Sequence, residues 1–183
     1  MEYTGTILAC LLLYIFVQSR NLNVDYLTGT FNRRGLDAVM ETRIKESEPG
    51  FTFSAFMFDL DRFKSINDDL GHSTGDEALQ NAARILTSCF RGKEDIVGRY
   101  GGDEFVVITG IQEEEKLEEA VERLRSKEKS FNLDGRFDYQ VLFSVGYAVY
   151  DPETGMDAKE FRDLLDTRMY ENKKNRRSGL SAG

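Results

Sequence analysis

Two acidic pairs are the residues of this 183-residue chain best suited to chemistry. Asp59 and Asp61 close a phenylalanine-rich apolar run, and Asp103 and Glu104 follow directly on Gly101-Gly102. Carboxylates brought together repel unless a hard cation neutralises them, and Mg2+ accepts carboxylate oxygens together with substrate phosphates. That is what two-metal phosphoryl or nucleotidyl transfer needs, one ion polarising the attacked phosphate and another activating the attacking hydroxyl. The same glycines and aspartate also read as a tight turn with a solvated side chain, and the local pattern does not decide between the two. His72 is the only histidine, and Cys10 and Cys89 stand far apart without metal-ligand or disulfide-framework spacing. Zinc sites and histidine-based catalysis are therefore disfavoured, and a reducing cytosol is the simplest setting. His72 reads as a structural residue of the loop before a helix.

The elements that must position these carboxylates alternate between helix and strand. Asn32 to Ser47 carries Leu36, Val39, Met40 and Ile44 at helical spacing, closed by Pro49-Gly50. Phe51 to Leu60 has no polar face and suits a strand buried on both sides. Thr74 to Cys89 returns to helical spacing, with a Thr74-to-Glu77 capping box at its start. Asp95 to Tyr100 and Glu104 to Thr109 flank the Gly-Gly hairpin signal. Gln112 to Lys129 predicts a charged helix with Leu117, Ala120, Val121 and Leu124 inward. Phe137 to Tyr150 predicts a long strand, Asp157 to Lys174 a closing helix, and Arg176 to Gly183 a frayed tail. This order contains a βαββαβ core, an α+β ferredoxin-like sheet with helices on one face. In such a sheet the first strand lies beside the hairpin, so Asp59 and Asp103 can meet.

Composition excludes other classes. With 24 Lys and Arg against 32 Asp and Glu, the formal net charge is -8, which speaks against a nucleic-acid binder. From Ile7 to Val17 every residue is apolar or aromatic. At about 1.5 Å per residue, that run falls short of the roughly 30 Å hydrocarbon layer. It reads as a short transmembrane anchor, as a buried or coiled-coil signalling helix, or, least well, as a signal peptide. Arg20 after the run favours a cytoplasmic remainder. The chain thus divides into an apolar helix over 1–21, a domain over 22–179 and a tail over 180–183.

The stretch Arg99-Tyr100-Gly101-Gly102-Asp103-Glu104-Phe105 resembles the signature of the GGDEF-family diguanylate cyclases, and three further motifs accompany it in order. Asp25-Tyr26-Leu27-Thr28-Gly29 with Asn32-Arg33-Arg34 is similar to the family's opening motif. Phe58-Asp59-Leu60-Asp61-Arg62-Phe63-Lys64-Ser65-Ile66-Asn67-Asp68 is similar to its first-strand motif, and Gly71-His72-Ser73-Thr74-Gly75-Asp76 follows at family distance. The resemblance implies a nucleotidyl-cyclase or polymerase-palm-like sheet that joins two GTP into cyclic di-GMP.

It implies roles as well. Asp59, the Leu60 carbonyl, Asp103 and Glu104 would hold Mg2+, with Mn2+ as a substitute and two ions per half-site. Glu104 would lie near the attacking 3′-hydroxyl, and Lys64 would neutralise phosphate charge. Backbone amides around Arg62 and Phe63 would cradle terminal phosphates, and Asn67 and Asp76 would read guanine. Tyr170 to Arg177 is similar to the family's closing helix, with Lys173 and Arg177 at phosphate-contacting positions, although Asn172 and Arg176 stand where the family has a small residue and a glycine. A basic helix end complementing the macrodipole explains the same residues. The family's inhibitory Arg-x-x-Asp is shifted: Asp95 is in place, but Gly92 holds the arginine position and Arg91 comes one residue early. Inhibitory binding of cyclic di-GMP is therefore expected to be weak or absent. Because one such domain holds one GTP, catalysis would need a face-to-face homodimer, with the apolar segment pairing the subunits at the inner face of the cell membrane. The other reading is a catalytically silent GTP-binding signalling module.

Overall fold

The computed structural model describes Ile7 and residues 22–180, with side chains described through residue 176. Apart from Ile7, the expected apolar helix over 1–21 and the tail beyond 180 lie outside the described residues. Among the described residues no helix is long and apolar enough to cross a membrane.

Strands β1 (Phe31–Asn32), β2 (Ser54–Leu60), β3 (Ile96–Gly101), β4 (Glu104–Thr109) and β5 (Phe143–Val149) form one mixed sheet in the order β1-β3-β4-β2-β5. Around it lie helices α1 (Arg33–Glu46), α2 (Phe63–Leu70), α3 (His72–Cys89), α4 (Glu114–Leu133) and α5 (Ala158–Leu180). Strand β2 pairs antiparallel with β4 on one side and with β5 on the other, and β3 and β4 form the hairpin. The short β1 adds to β3 in parallel.

The sheet's centre is the phenylalanine-rich strand, buried at every residue. Alternate β2 side chains face opposite layers, as the two-residue period of a strand requires. Phe56, Phe58 and Leu60 pack with Ala78, Leu79 and Leu86 of α3 and Leu117 and Leu124 of α4. Ala55 and Met57 pack with Leu36 and Met40 of α1 and Phe161, Leu165 and Met169 of α5. Each phenylalanine buried this way contributes about 1.5–3 kcal/mol. Helices therefore cover both faces, which corrects the expectation of helices on one: a strand apolar on both sides cannot leave either to water. Gly146 of β5 permits a close contact between layers, because a Cβ there would stand 2.2 Å from Leu165 O and 2.3 Å from Met169 N.

Four further expectations need correction. Residues 137–142 are not strand, and β5 begins only at Phe143. Helix α3 starts at His72 from Gly71 without a side-chain cap, so the Thr74-to-Glu77 box does not form, and the Thr74 hydroxyl instead donates to Leu70 O at 3.0 Å. The closing helix runs on through Arg176 to Leu180 rather than fraying there. Helix α2 has no counterpart in the sequence reading. It and α3 meet at the single residue Gly71, whose φ of 88° is open to glycine at little cost.

Candidate active site

Register brings the acidic pairs together. Asp59 and Glu104 are directly paired residues of β2 and β4, and Leu60 N donates to Asp103 O at 3.0 Å, tying the hairpin turn to the end of β2. The turn is shaped by Gly102, at φ 28°, and by Arg99, whose Nε and Nη2 donate to Gly102 O at 2.9 and 2.7 Å. Arg99 also reaches Asp25 Oδ2 at 3.6 Å. Asp25 in turn accepts from Thr28 N and Thr28 Oγ1 at 2.9 and 2.7 Å, so the opening Asp-Tyr-Leu-Thr-Gly turn braces the hairpin.

The electrostatics are those of a crowded acidic site. Asp59 is only 8% exposed. Burial holds its carboxyl above the usual range and the charges of Asp103 and Asp61 push the same way, opposed by a hydrogen bond and charge from Lys173. Glu104 is raised likewise, first by burial and then by Asp103, Asp166 and Asp59. Helix α5 supplies two cations. Lys173 Nζ lies 2.5 Å from Asp59 Oδ1, and Arg176 Nη1 lies 3.3 Å from Asp61 Oδ2 and donates to Phe143 O. Ser144 Oγ donates to the other oxygen of Asp61 at 2.6 Å. Sequence reading missed Ser144, Asp166 and Arg176 as parts of this site. Arg176 carried a signal, a charge where the related motif has glycine, whereas Ser144 becomes visible only through its pairing opposite Asp59.

Among the described residues no group of three or more carboxylate, thiol or imidazole side chains is placed so as to hold a metal ion by itself. The donors present are hard carboxylate oxygens, and two of them are raised in proton affinity first by burial and then by their mutual repulsion. A divalent cation relieves that repulsion, so the residues fit Mg2+ or Mn2+ better than a soft metal.

Beside the carboxylates, the start of α2 is unusual. Arg62 precedes it at φ 61°, the left-handed conformation, which costs a residue with a side chain about 1 kcal/mol or more. No side chain caps this helix, so its first N–H groups, those of Phe63 and its neighbours, lie at the positive end of the dipole. Lys64 is exposed one residue further on. A cleft of about 960 Å3 lined by Asp61, Arg62, Ser65, Tyr139, Lys173 and Arg176 opens alongside. At the other end of α2, Asn67 is lodged against Gly75, so close that a Cβ on Gly75 would stand 2.0 Å from Asn67 Oδ1. Asp76 follows, exposed. Asn67 thus lies against the residue that precedes Asp76. The Arg177 side chain lies outside those described.

The shifted inhibitory pair is far from free. Asp95 Oδ2 accepts from Gly92 N at 2.7 Å and Oδ1 from Thr109 Oγ1 at 2.7 Å, so both oxygens are used in folding the loop that carries the exposed Arg91.

Residues 22–179 match the family profile described as "Diguanylate cyclase, GGDEF domain". Diguanylate cyclase A of Treponema denticola is 37% identical over 132 residues, covering 71% of this chain and 35% of that protein. Diguanylate cyclase DosC of Escherichia coli K12 is 31% identical over 157 residues, covering 84% and 34%. The chain spans about a third of the length of these curated relatives. Among solved structures, the coiled coil and GGDEF domain of DgcB from Caulobacter crescentus, in complex with c-di-GMP, superposes with a TM-score of 0.83 at 23% identity, covering 94% of this chain and 91% of that one. At that identity the likeness speaks for the fold alone. A sensory box/GGDEF family protein of the same organism gives 0.70 at 30% identity, covering 84% and 99%.

Proposed function

The chain belongs to the GGDEF family, and from that premise we propose that it is a diguanylate cyclase condensing two GTP into cyclic di-GMP and two pyrophosphates. The observation that carries this reading is the cross-strand pairing of Asp59 with Glu104 next to a lysine from α5. In each half-reaction the 3′-oxygen of one GTP bonds to the α-phosphorus of the other, and the bond from that phosphorus to pyrophosphate breaks. Asp59, the Leu60 carbonyl, Asp103 and Glu104 are the residues that would hold Mg2+ or Mn2+, two ions per half-site, which when bound polarise the α-phosphate and acidify the hydroxyl. Glu104, placed near that hydroxyl, would lower the barrier to its deprotonation as a carboxylate on the metal. Lys64, Lys173 and Arg177 neutralise the triphosphate, and the uncapped amides after Arg62 and around Phe63 receive its terminal oxygens. Asn67 and Asp76 read guanine: a carboxylate accepts from the N1–H and N2–H2 donors that adenine does not offer as a pair.

Two half-sites must face each other, so the active species is a homodimer with its catalytic domains in the cytoplasm. We assign the apolar segment before residue 22 to pairing the subunits and anchoring them at the inner membrane face. With both Asp95 oxygens committed to the loop, product binds the inhibitory site weakly or not at all.

The test is to incubate purified chain with GTP and Mg2+, beside Glu104→Gln, and separate the products by chromatography. Cyclic di-GMP from the parent and none from the variant is the expected result. A dimeric parent that binds GTP and forms no product would replace this reading with that of a silent GTP-binding module.

A further inference from the structure

The charged face of α4 does a task unconnected with its surface. Three polar side chains spaced along one face of it, Arg125, Glu128 and Asn132, grip the backbone of residues 141–143. Asn132 Nδ2 donates to Val141 O and Val141 N donates to Asn132 Oδ1, both at 2.9 Å. Phe143 N donates to Glu128 Oε1 at 2.7 Å. Arg125 Nη1 donates to Phe143 O at 2.7 Å and to the two Glu128 oxygens at 2.8 and 3.0 Å. Alternate residues of an extended chain ordinarily satisfy these groups on a neighbouring strand; here helix side chains take the strand's place. Glu128 is 2% exposed, and a carboxylate is buried at such depth only when it is fully paired.

The opposite side of the same segment leads to the acidic strand end. Asp61 N donates to Leu142 O at 2.9 Å, Ser144 Oγ donates to Asp61 Oδ1 at 2.6 Å, and Phe143 and Ser144 stand opposite Leu60 and Asp59 in the sheet. Residues 141–144 are a strut between α4 and the carboxylates. We propose that Glu128 is a positioning residue for Asp59 and Asp61, an inference that rests on the cyclase reading above. It touches neither nucleotide nor cation. Its carboxylate holds Phe143 N and orients Arg125 onto Phe143 O, which sets the height of β5 against the end of β2.

The test uses the full chain with Glu128→Gln, which keeps the shape and one acceptor, and with Met40→Ala, a core truncation in the opposite layer, as the control for simple loss of stability. At a temperature where circular dichroism shows all three proteins folded, Glu128→Gln is expected to lower kcat by about tenfold to a hundredfold, the scale of a misplaced reacting group, with KM for GTP unchanged. Met40→Ala is expected to melt earlier yet keep its kcat. Amide hydrogen exchange at Asp61, which bonds to the strut but not to Glu128, is expected to quicken in Glu128→Gln by more than its loss of global stability accounts for, with Met40→Ala as the measure of that global share. Unchanged kcat, or a loss matched by Met40→Ala, overturns the proposal. If the parent itself makes no cyclic di-GMP, the cyclase reading fails separately. Exchange at Asp61 then decides, quickening beyond the share set by Met40→Ala upholding the positioning role and exchange within that share overturning it.

Discussion

Substituting Gly75 by alanine separates stability from recognition. The added Cβ would stand 2.0 Å from Asn67 Oδ1 and 2.9 Å from its Cγ, and real Cβ atoms essentially never come within 3.0 Å of another heavy atom, so the carboxamide must move by about 1 Å, the difference between 3.0 and 2.0. Gly75 lies inside α3 without a positive φ, where alanine is favoured over glycine by about 0.5–1 kcal/mol. The obstacle is the end of a side chain, which rotates away cheaply. The variant is therefore expected to melt at the parent's temperature or above it. On the proposed reading recognition suffers instead, since an Asn67 turned away would lose its bond to guanine and leave a base donor unmatched. That is worth about 1–3 kcal/mol, or about five- to a hundredfold in KM for GTP at ten per 1.4 kcal/mol. Discrimination against ATP should fall with it. The assay is steady-state product formation over a GTP series, with ATP as competitor, beside a thermal melt. An unchanged KM in a variant of unchanged stability would refute the placing of Asn67 at the base.

Three other outcomes are expected. Because Asp59 and Glu104 are raised, the folded metal-free chain retains protons that the unfolded chain has lost as pH climbs above the ordinary carboxylate range, and stability falls through that window. Asp103→Asn removes one source of the repulsion, so it should flatten this pH dependence and raise the neutral-pH melting point by roughly 2–4 °C for about 1 kcal/mol, while abolishing product. Lys173→Met should raise KM for GTP by about tenfold or more through a lost charged hydrogen bond, yet tighten divalent-cation binding measured by calorimetry, since the lysine no longer competes for Asp59. Added cyclic di-GMP should leave initial rates unchanged, because Asp95 is already engaged by Gly92 and Thr109; inhibition at product concentrations near those of the substrate would contradict this.

What was legible in the sequence is what periodicity and turn chemistry encode. The run ending in Asp59 announced a strand buried on both sides, and Gly101-Gly102 announced the hairpin that β3 and β4 form. Helix α2 was hidden because it is eight residues long, starts from a left-handed Arg62 without a cap and ends at a glycine from which the next helix starts at once. Residues 137–142 looked like strand for a sound reason, being aromatic and β-branched, but the backbone of Val141 and Phe143 is satisfied by helix side chains rather than by a strand. No local pattern announces such a substitution. Likewise, the carboxylates were visible as types, whereas the ion pairs that Lys173 and Arg176 make with Asp59 and Asp61 join residues more than a hundred positions apart.

The two halves of this charge arrangement are held with unequal firmness. The acids end a strand buried at every residue, and a segment of that kind opens only with the whole domain. Their cationic partners ride near the end of the closing helix, where opening is local and inexpensive. Heating should therefore release the cations well before it disturbs the acids. Affinity for the triphosphate would fade while the sheet is still intact, and turnover at limiting GTP would peak several degrees below the melting point, a thermal ceiling set by the last turns of one helix rather than by the core.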